Sequence, residues 1–180
     1  KVLRKIIESG QIPNLIFYGP SGVGKTTVAK IIANRCGKKL YYLNATTAST
    51  ADIKAIISDL GGIESMGGVL LYLDEIQSFN KKQQQILLEY IESGDITLIA
   101  STTENPFFYV YNAILSRSTV FEFKELSPSD ISKAVLRAAS VLADEQNITV
   151  EISEEIALKI GRSAAGDVRR ALNTLELCVM

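Results

Sequence analysis

Histidine is absent from this 180-residue chain. That absence excludes Ser-His-Asp triads, histidine metal sites and histidine general bases, so any acid–base chemistry has to use carboxylates, lysine, tyrosine or cysteine. Cysteine is scarce: the chain has only Cys36 and Cys178, and neither has a metal-ligand partner at short spacing. A zinc site is therefore not expected, and we interpret both residues as buried free thiols in a reducing cytosol.

Long apolar runs are also missing, since no stretch approaches the ~20 residues of a membrane-spanning helix. The mixed-charge start, KVLRKIIESG, is not a signal-peptide pattern, and we expect no membrane partner. The net charge of −1 differs from the overall positive charge of a dedicated nucleic-acid binder, although it is compatible with local basic patches. Because the chain starts at Lys1 and stops inside a helical pattern, we expect a fragment of a longer protein.

Hydrophobic residues make up 47% of the sequence, which is enough for a sizeable core. Short, nearly continuous apolar runs are typical of strands covered on both faces, and they predict strands at 14–19, 40–44, 69–74, 96–101 and 119–123. The segments between these runs predict helices near 25–35, 50–60, 80–93 and 112–116. This alternation favours an α/β fold with a five-stranded parallel sheet and right-handed crossovers.

The pattern changes after Phe123. SPSD at 127–130 predicts the start of a helix, and the helical pattern continues to about residue 146. Further helices are predicted after ISEE and AAGD. Only ITVEI, at 148–152, is strand-like in this part. We therefore predict an α/β domain over 1–126 and a small, incomplete helical subdomain over 127–180.

A glycine-rich stretch, GPSGVGKTT, satisfies the pattern G-x-x-x-x-G-K-[ST] between a predicted strand and a predicted helix. Its glycines allow backbone N–H groups to form an anion nest, and the helix adds its positive N-terminus. Lys25 would reach the β- and γ-phosphates, and the Thr26 hydroxyl would bind Mg²⁺. The alternative is a strand–helix turn without a ligand. The predicted phosphate-binding residues are Gly19, Pro20, Ser21, Gly22, Val23, Gly24, Lys25, Thr26 and Thr27.

Two acids end the apolar strand VLLYLDEI at 69–76. Asp74 is predicted to hold Mg²⁺ through water, which makes Thr26 and Asp74 the candidate metal residues. Without histidine, the Glu75 carboxylate is the plausible group to polarise an attacking water. The alternative is a solvent-facing acidic turn. NKKQ at 80–83 lacks the Asp of the guanine-reading motif Asn-Lys-x-Asp, which favours ATP.

With these motifs the sequence resembles an AAA+ ATPase, and it is most similar to the replication-associated recombination protein A family. That family includes the Werner-helicase-interacting proteins and is related to the clamp-loader ATPases. The matching stretches are GPSGVGKTTVAKIIA, LDEIQSFNKKQQQILLEYIESGDITLIASTTENP, AILSRS and GDVRRALNTLE. The resemblance implies an α/β P-loop NTPase core of the AAA+ type, with a five-stranded parallel sheet flanked by helices and a small, truncated helical lid. It identifies the glycine-rich stretch as Walker A, and Asp74 and Glu75 as Walker B.

Three hydroxyl residues, Ser101, Thr102 and Thr103, follow the apolar run 96–100. By themselves they are compatible with an ordinary turn or with contact to a ligand. The resemblance implies sensor 1 here, with Thr103 aligning best and Thr102 next, orienting the attacking water or touching the γ-phosphate. It leaves only Ser101 as an ordinary turn residue. It also implies that this strand lies between the phosphate-loop strand and the acidic strand.

The resemblance implies three further catalytic residues. Arg117, in LSR, matches an arginine finger that acts on a neighbour's γ-phosphate; the alternative is a surface arginine at a helix end. Arg169, in GDVRR, matches sensor 2 and would contact the nucleotide; the alternative is a salt bridge with Asp167 or Glu176. Asn44, in LNATT, matches a polar residue that can hold the catalytic glutamate in an inactive pose.

Departures from the family fall after the two acids and after the hydroxyls. Gln77 and Ser78 replace a usual His-Arg pair, which removes a basic pair from a possible DNA contact. Phe107, Tyr109 and Tyr111 replace residues that are usually polar, and we interpret these rings as packing or as a subunit contact.

The implied function is Mg²⁺-dependent ATP hydrolysis that drives conformational work on DNA or DNA-bound proteins at stalled replication forks. The implied partners are single-stranded, gapped or forked DNA, replication and repair proteins, and further copies of the full-length protein, with this fragment monomeric. A bacterial cytoplasmic, nucleoid-associated location is implied. The alternatives are a clamp-loader-like or branch-migration-type module that uses nucleotide mainly as an assembly switch, and a small-molecule P-loop kinase.

Overall fold

The computed structural model describes residues 2–58 and 69–179. The chain divides into two compact units. The first consists of Lys1–Gly19 and Lys25–Glu122, and the second of Pro20–Gly24 and Phe123–Met180. In the described ranges, no helix combines the length and apolar character that crossing a membrane requires.

A five-stranded parallel sheet forms the centre of the first unit, in the order β2-β3-β4-β1-β5. The strands are β1 (Asn14–Tyr18), β2 (Leu40–Asn44), β3 (Val69–Asp74), β4 (Ile96–Thr102) and β5 (Ser118–Glu122). All five predicted strands are confirmed, and so is the position of β4 between β1 and β3. β4 extends one residue further than predicted and ends at Thr102.

The three central strands are apolar on both faces because helices cover both sides of the sheet. Leu15, Leu71 and Leu98 have no exposed surface. The parallel register pairs Tyr18 with Thr102 and Leu73 with Ala100. The carboxyl ends of β1, β3 and β4 therefore lie together at one edge of the sheet.

Six helices surround this sheet in the described part of the first unit. They are α1 (Val2–Ser9), α2 (Lys25–Cys36), α3 (Thr50–Ser58), α4 (Lys81–Glu92), α5 (Pro106–Tyr109) and α6 (Asn112–Leu115), and a 3₁₀ turn, Ile76–Ser78, precedes α4. α4 begins where Asn80 and Gln83 form a capping box. The helices α1 and α5 were not predicted, and the last two residues predicted for the second helix, 59–60, lie outside the described residues.

Three helices make up most of the second unit: α7 (Pro128–Gln146), α8 (Glu154–Ser163) and α9 (Val168–Val179). Ser127 and Ser153 accept hydrogen bonds from backbone N–H groups in the first turns of α7 and α8, as N-caps do. Buried apolar residues such as Val135, Ala157 and Leu175 form a separate core here. The stretch 148–152 is not a strand.

The two cysteines differ from the expectation of buried thiols. Cys36 is half-buried at the end of α2, and its thiol lies 3.5 Å from the carbonyl oxygen of Ala33. Cys178 is exposed near the end of α9. The interpretation of Cys178 as a buried thiol is therefore wrong.

Candidate functional site

Lys25 begins α2, directly after the glycine-rich loop, and its side chain is buried. Its ammonium group donates a 2.6 Å hydrogen bond to the carbonyl oxygen of Gly19. The Gly19 N–H in turn donates to the carbonyl oxygen of Thr102, at the end of β4. The lysine is thereby held at the carboxyl edge of the sheet, where β1 and β4 end.

The loop residues Pro20–Gly24 belong to the second unit. There the Ser21 hydroxyl lies 3.4 Å from a carboxylate oxygen of Asp167, and the N–H of Val168 donates to the carbonyl oxygen of Gly22. Gly22 has a φ of +69°, and a Cβ at this position would lie 1.8 Å from the Asp167 side chain. The backbone conformation therefore favours glycine at this position, and any other residue would also displace the Asp167 side chain.

Asp74 ends β3, and its carboxylate accepts hydrogen bonds on both oxygens. The Tyr42 hydroxyl, from β2, donates to Oδ2 at 3.0 Å. The Ser101 hydroxyl, from β4, donates to Oδ1. Because β2 and β4 flank β3 in the sheet, the carboxylate is held from both sides.

Thr26 is connected to this carboxylate through Tyr72. The Thr26 and Tyr72 hydroxyls lie 3.0 Å apart, and Tyr72 donates to Ser101 at 2.9 Å. Tyr72 is almost fully buried, and this burial raises the pKa of its phenol to about 12. The phenol therefore keeps its proton at any physiological pH.

The donor set at Thr26 and Asp74 fits Mg²⁺. This ion is bound in proteins by one or two carboxylates together with hydroxyls, waters and substrate phosphates, rather than by a full set of protein ligands. Within the described residues there is no cluster of three or more His, Cys, Asp or Glu side chains that would form such a set. One carboxylate and one hydroxyl match a site that is completed by nucleotide and water.

Glu75 follows Asp74 with an unusual backbone, φ 54° and ψ 47°. This left-handed conformation directs its side chain away from the strand, and Gln77 donates a 2.5 Å hydrogen bond to its Oε2. The Thr103 hydroxyl lies 3.5 Å from the same oxygen. Strained backbones of this kind persist only where neighbouring groups hold them.

Asn44 is not brought to Glu75. Its side-chain oxygen accepts hydrogen bonds from the N–H of Thr46 at 2.9 Å and from the Thr46 hydroxyl at 2.7 Å. Asn44 thus orders the turn after β2, and the side chains that bond to Glu75 are those of Gln77 and Thr103.

The three hydroxyl residues at the end of β4, Ser101, Thr102 and Thr103, have different surroundings. Ser101 lies inside the strand, has no exposed surface and donates to Asp74, so its interpretation as an ordinary turn residue is wrong. Thr102 is the residue whose hydroxyl accepts from a turn N–H, that of Glu104 at 3.0 Å. Of the three, Thr103 is the residue whose hydroxyl lies near Glu75, at 3.5 Å.

Arg117 lies at the opposite, amino edge of the sheet. Its carbonyl oxygen accepts from Asn14, the first residue of β1, and the next residue, Ser118, begins β5. Strands of five to seven residues put this edge roughly 15–20 Å from the carboxyl edge. The guanidinium forms a 2.7 Å ion pair with Glu92 and is half-exposed. Arg117 is therefore too far away to serve the site of its own subunit.

Arg169 lies exposed in the first turn of α9. In the part of the chain that the structure describes, its side chain has no ion-pair partner, so neither Asp167 nor Glu176 neutralises it. Asp167 instead accepts from the backbone N–H of Arg170, which caps the helix.

Sequence reasoning missed Tyr42, Tyr72, Ser101 and Gln77 as site residues. A signal was present for the two tyrosines, because Tyr72 lies two residues before Asp74 and therefore on the same face of β3, where Tyr42 pairs with it in register. No sequence pattern indicated that Gln77 would turn back onto Glu75.

The fold and the placement of Lys25, Thr26, Asp74 and Glu75 define the chain as a P-loop ATPase of the AAA+ type. A family model described as "ATPase family associated with various cellular activities (AAA)" matches residues 15–128, and the chain belongs to that family.

The chain is 38% identical to replication-associated recombination protein A of Coxiella burnetii, over 98% of this chain and 40% of that protein. It is 35% identical to ATPase WRNIP1 of Dictyostelium discoideum, over 99% of this chain and 20% of that protein. These relatives confirm the resemblance to the replication-associated recombination protein A group. The chain spans between 20% and 42% of the length of the curated relatives it matches.

Among solved structures, the Thermotoga maritima RuvB Holliday junction branch migration motor matches with a TM-score of 0.77. That match is 24% identical and covers 97% of this chain and 57% of that one. It confirms the fold, including the parallel sheet and the flanking helices.

Proposed function

We propose that the protein binds and hydrolyses ATP with Mg²⁺, and that hydrolysis drives conformational work on DNA or on DNA-bound proteins. The observation that carries this proposal is the hydrogen-bonded path from Thr26 to Asp74 at the carboxyl edge of the sheet, with Lys25 and Glu75 beside it. A phosphate-binding lysine, a metal-binding pair and a general base are the groups that phosphoryl transfer to water requires.

In this proposal each side chain has one task. Lys25 binds the β- and γ-phosphates, and the N–H groups of the loop from Gly19 to Gly24 bind the remaining phosphate oxygens. Thr26 and Asp74 would hold Mg²⁺, directly and through water. When bound, the ion would supply positive charge against the negative charge that develops on the phosphate oxygens. Glu75 accepts a hydrogen bond from the attacking water, and Thr103 fixes the position of that carboxylate.

Two arginines complete the proposed site. Because Arg117 lies at the amino edge, it would act on the γ-phosphate of a neighbouring subunit, which makes hydrolysis dependent on oligomers of the full-length protein. Arg169 has no ion-pair partner among the described residues, and a cation in the first turn of a helix opposes the helix dipole. A nucleotide phosphate would compensate for this charge, and we propose that residues 127–180 act as a lid for that reason.

The names of the relatives support the DNA-directed part of the proposal, since replication-associated recombination protein A is among them. We propose that the substrate DNA is single-stranded, gapped or forked, that stalled forks are the setting, and that replication and repair proteins are partners. A bacterial cytoplasmic, nucleoid-associated location belongs to the same proposal.

A second candidate is a module that uses nucleotide mainly as an assembly switch, as clamp loaders and branch-migration motors combine binding with assembly. The contact between Gln77 and Glu75 favours it, because the amide occupies one of the two carboxylate oxygens that could polarise water. Slow turnover with tight ATP binding would distinguish this candidate from the first.

The experiment that tests the proposed function is ATP turnover of the full-length protein, measured with single-stranded, gapped and forked DNA and without DNA. We expect Mg²⁺-dependent turnover that at least one DNA structure stimulates, and no turnover in Lys25→Ala. Turnover at the Lys25→Ala level under every condition would contradict the proposal. Turnover that no DNA changes would contradict its DNA-directed part.

A further inference from the structure

A continuous path of hydrogen bonds joins the hydroxyl of Thr26 to the carboxylate of Asp74 through two further hydroxyl groups. The path runs from Thr26 on α2, through Tyr72 on β3 and Ser101 on β4, to Asp74 at the end of β3. The distance between hydroxyl oxygens is 3.0 Å from Thr26 to Tyr72 and 2.9 Å from Tyr72 to Ser101. Both internal members are buried, so water does not compete for these bonds.

The direction of each hydrogen bond in the path follows from the carboxylate at its end. A carboxylate only accepts, so the Ser101 proton points to Asp74. Ser101 has then used its one proton and accepts from Tyr72. Tyr72 has likewise used its proton, so Thr26 has to be the donor in the bond between them. The path therefore fixes the proton of Thr26 toward Tyr72.

This orientation matters for a cation. A hydroxyl whose proton points away from a metal offers the metal its lone pairs, whereas a freely rotating hydroxyl spends part of its time with the proton directed at the ion. Ser101 has a parallel effect on Asp74, because together with Tyr42 it holds the carboxylate in one orientation. Groups that orient metal ligands from outside the first coordination sphere typically change metal affinity by about 10- to 100-fold.

The need for a hydroxyl at position 72 is not explained by packing. The ring of Tyr72 stacks on Tyr42 at a centroid distance of 5.4 Å, and a phenylalanine would keep that contact. A buried hydroxyl has to be hydrogen-bonded to be tolerated, and among the described residues the partners of the Tyr72 hydroxyl are Thr26 and Ser101, both on the path.

We propose that Tyr72 and Ser101 are positioning residues for the Mg²⁺ of the ATP site, because they orient its two protein ligands, Thr26 and Asp74. This inference rests on the proposed function. It assigns a role to two residues that do not themselves touch the metal or the nucleotide.

The test measures how the affinity for a non-hydrolysable ATP analogue depends on free Mg²⁺, by calorimetry on the full-length protein. Tyr72→Phe and Ser101→Ala are each expected to raise the free Mg²⁺ concentration at the midpoint about tenfold. Their affinity for the analogue in EDTA is expected to equal that of wild type. The matched control is Tyr90→Phe, since the half-buried Tyr90 hydroxyl on α4 has no hydrogen bond within the described residues.

A double variant tests the path itself. If Tyr72 and Ser101 act through one path, Tyr72→Phe combined with Ser101→Ala shifts the Mg²⁺ midpoint no more than the larger single shift. Fully multiplicative shifts would contradict a shared path. Thermal unfolding of each variant identifies any that do not fold, and each single variant tests the proposal independently of the other.

The remaining outcomes separate this inference from the proposed function. If Tyr72→Phe and Ser101→Ala behave as Tyr90→Phe does while Thr26→Ala loses the Mg²⁺ dependence, the inference fails and the proposed function stands. If Thr26→Ala and Asp74→Asn keep the wild-type Mg²⁺ dependence, both fail.

Discussion

Gln77 donates a 2.5 Å hydrogen bond to Glu75, the residue proposed to polarise the attacking water. The oxygen of the same Gln77 amide, Oε1, is buried and has no hydrogen-bond partner within the described residues. Glu75 itself has a left-handed backbone, which only surrounding contacts maintain. The amide therefore occupies one of the two Glu75 carboxylate oxygens that could accept from an attacking water, and we propose that this pose of Glu75 is a resting one.

Removing this amide should release the carboxylate. Gln77→Leu keeps most of the side-chain volume and is expected to raise ATP turnover without DNA about tenfold, because a hydrogen bond to a charged group contributes about 1.5–3 kcal/mol. Steady-state turnover and ATP affinity are the measurements, and the affinity should not change. Gln85→Leu, on the exposed face of α4, is the control. Lower turnover in Gln77→Leu would show that the amide assists catalysis instead.

Arg117 should be essential for turnover and dispensable for binding. Arg117→Ala in the full-length protein is expected to lower turnover by about 10³-fold or more, since an arginine finger contributes about 10³–10⁵ in rate. ATP affinity should stay at the wild-type level. Arg4→Ala is the control, because Arg4 also pairs with a helix glutamate on an exposed surface.

Mixed oligomers show whether that arginine acts in trans. Arg117→Ala subunits mixed with Lys25→Ala subunits should regain part of the turnover, since some interfaces then combine an intact lysine with an intact arginine. No recovery at any mixing ratio would contradict the assignment across the subunit interface.

The sheet core of the first unit should dominate its stability. Leu98 has no exposed surface in β4, and Leu98→Ala is expected to lower the free energy of unfolding by about 2–5 kcal/mol through lost burial and a cavity. Val2→Ala, at a side chain that is 61% exposed, should change it by less than about 0.5 kcal/mol. Urea unfolding followed by circular dichroism measures both, and equal effects would contradict the position of Leu98 in the core.

The sequence predicted those parts of the fold that depend on local patterns of residues. Continuous apolar runs located all five strands, and the glycine-rich loop located the start of α2 at Lys25. The roles of the hydroxyls at the end of β4 could not be assigned in this way. Ser101 lies within the strand and bonds to Asp74, whereas Thr102, the last strand residue, accepts from the turn N–H of Glu104.

Contacts between individual side chains could not be predicted from the sequence either. Asn44 and Gln77 are both polar residues at or just after the end of a strand, and nothing in their spacing distinguishes the one that reaches Glu75 from the one that orders its own turn. The left-handed backbone of Glu75 makes the difference, because it brings the carboxylate back to a residue two positions later. Neither that conformation nor its partner has a sequence signature.

The central claim is that Glu75 activates water for attack on ATP bound by Lys25 and Thr26. It is tested most directly by Glu75→Gln in the full-length protein, with ATP binding and ATP turnover measured on the same preparation and Glu89→Gln, an exposed residue of α4, as the control. The account predicts that Glu75→Gln binds ATP as wild type does and loses turnover at least about 100-fold, as removal of a general base does. Turnover within a few-fold of wild type, with binding intact, would contradict it.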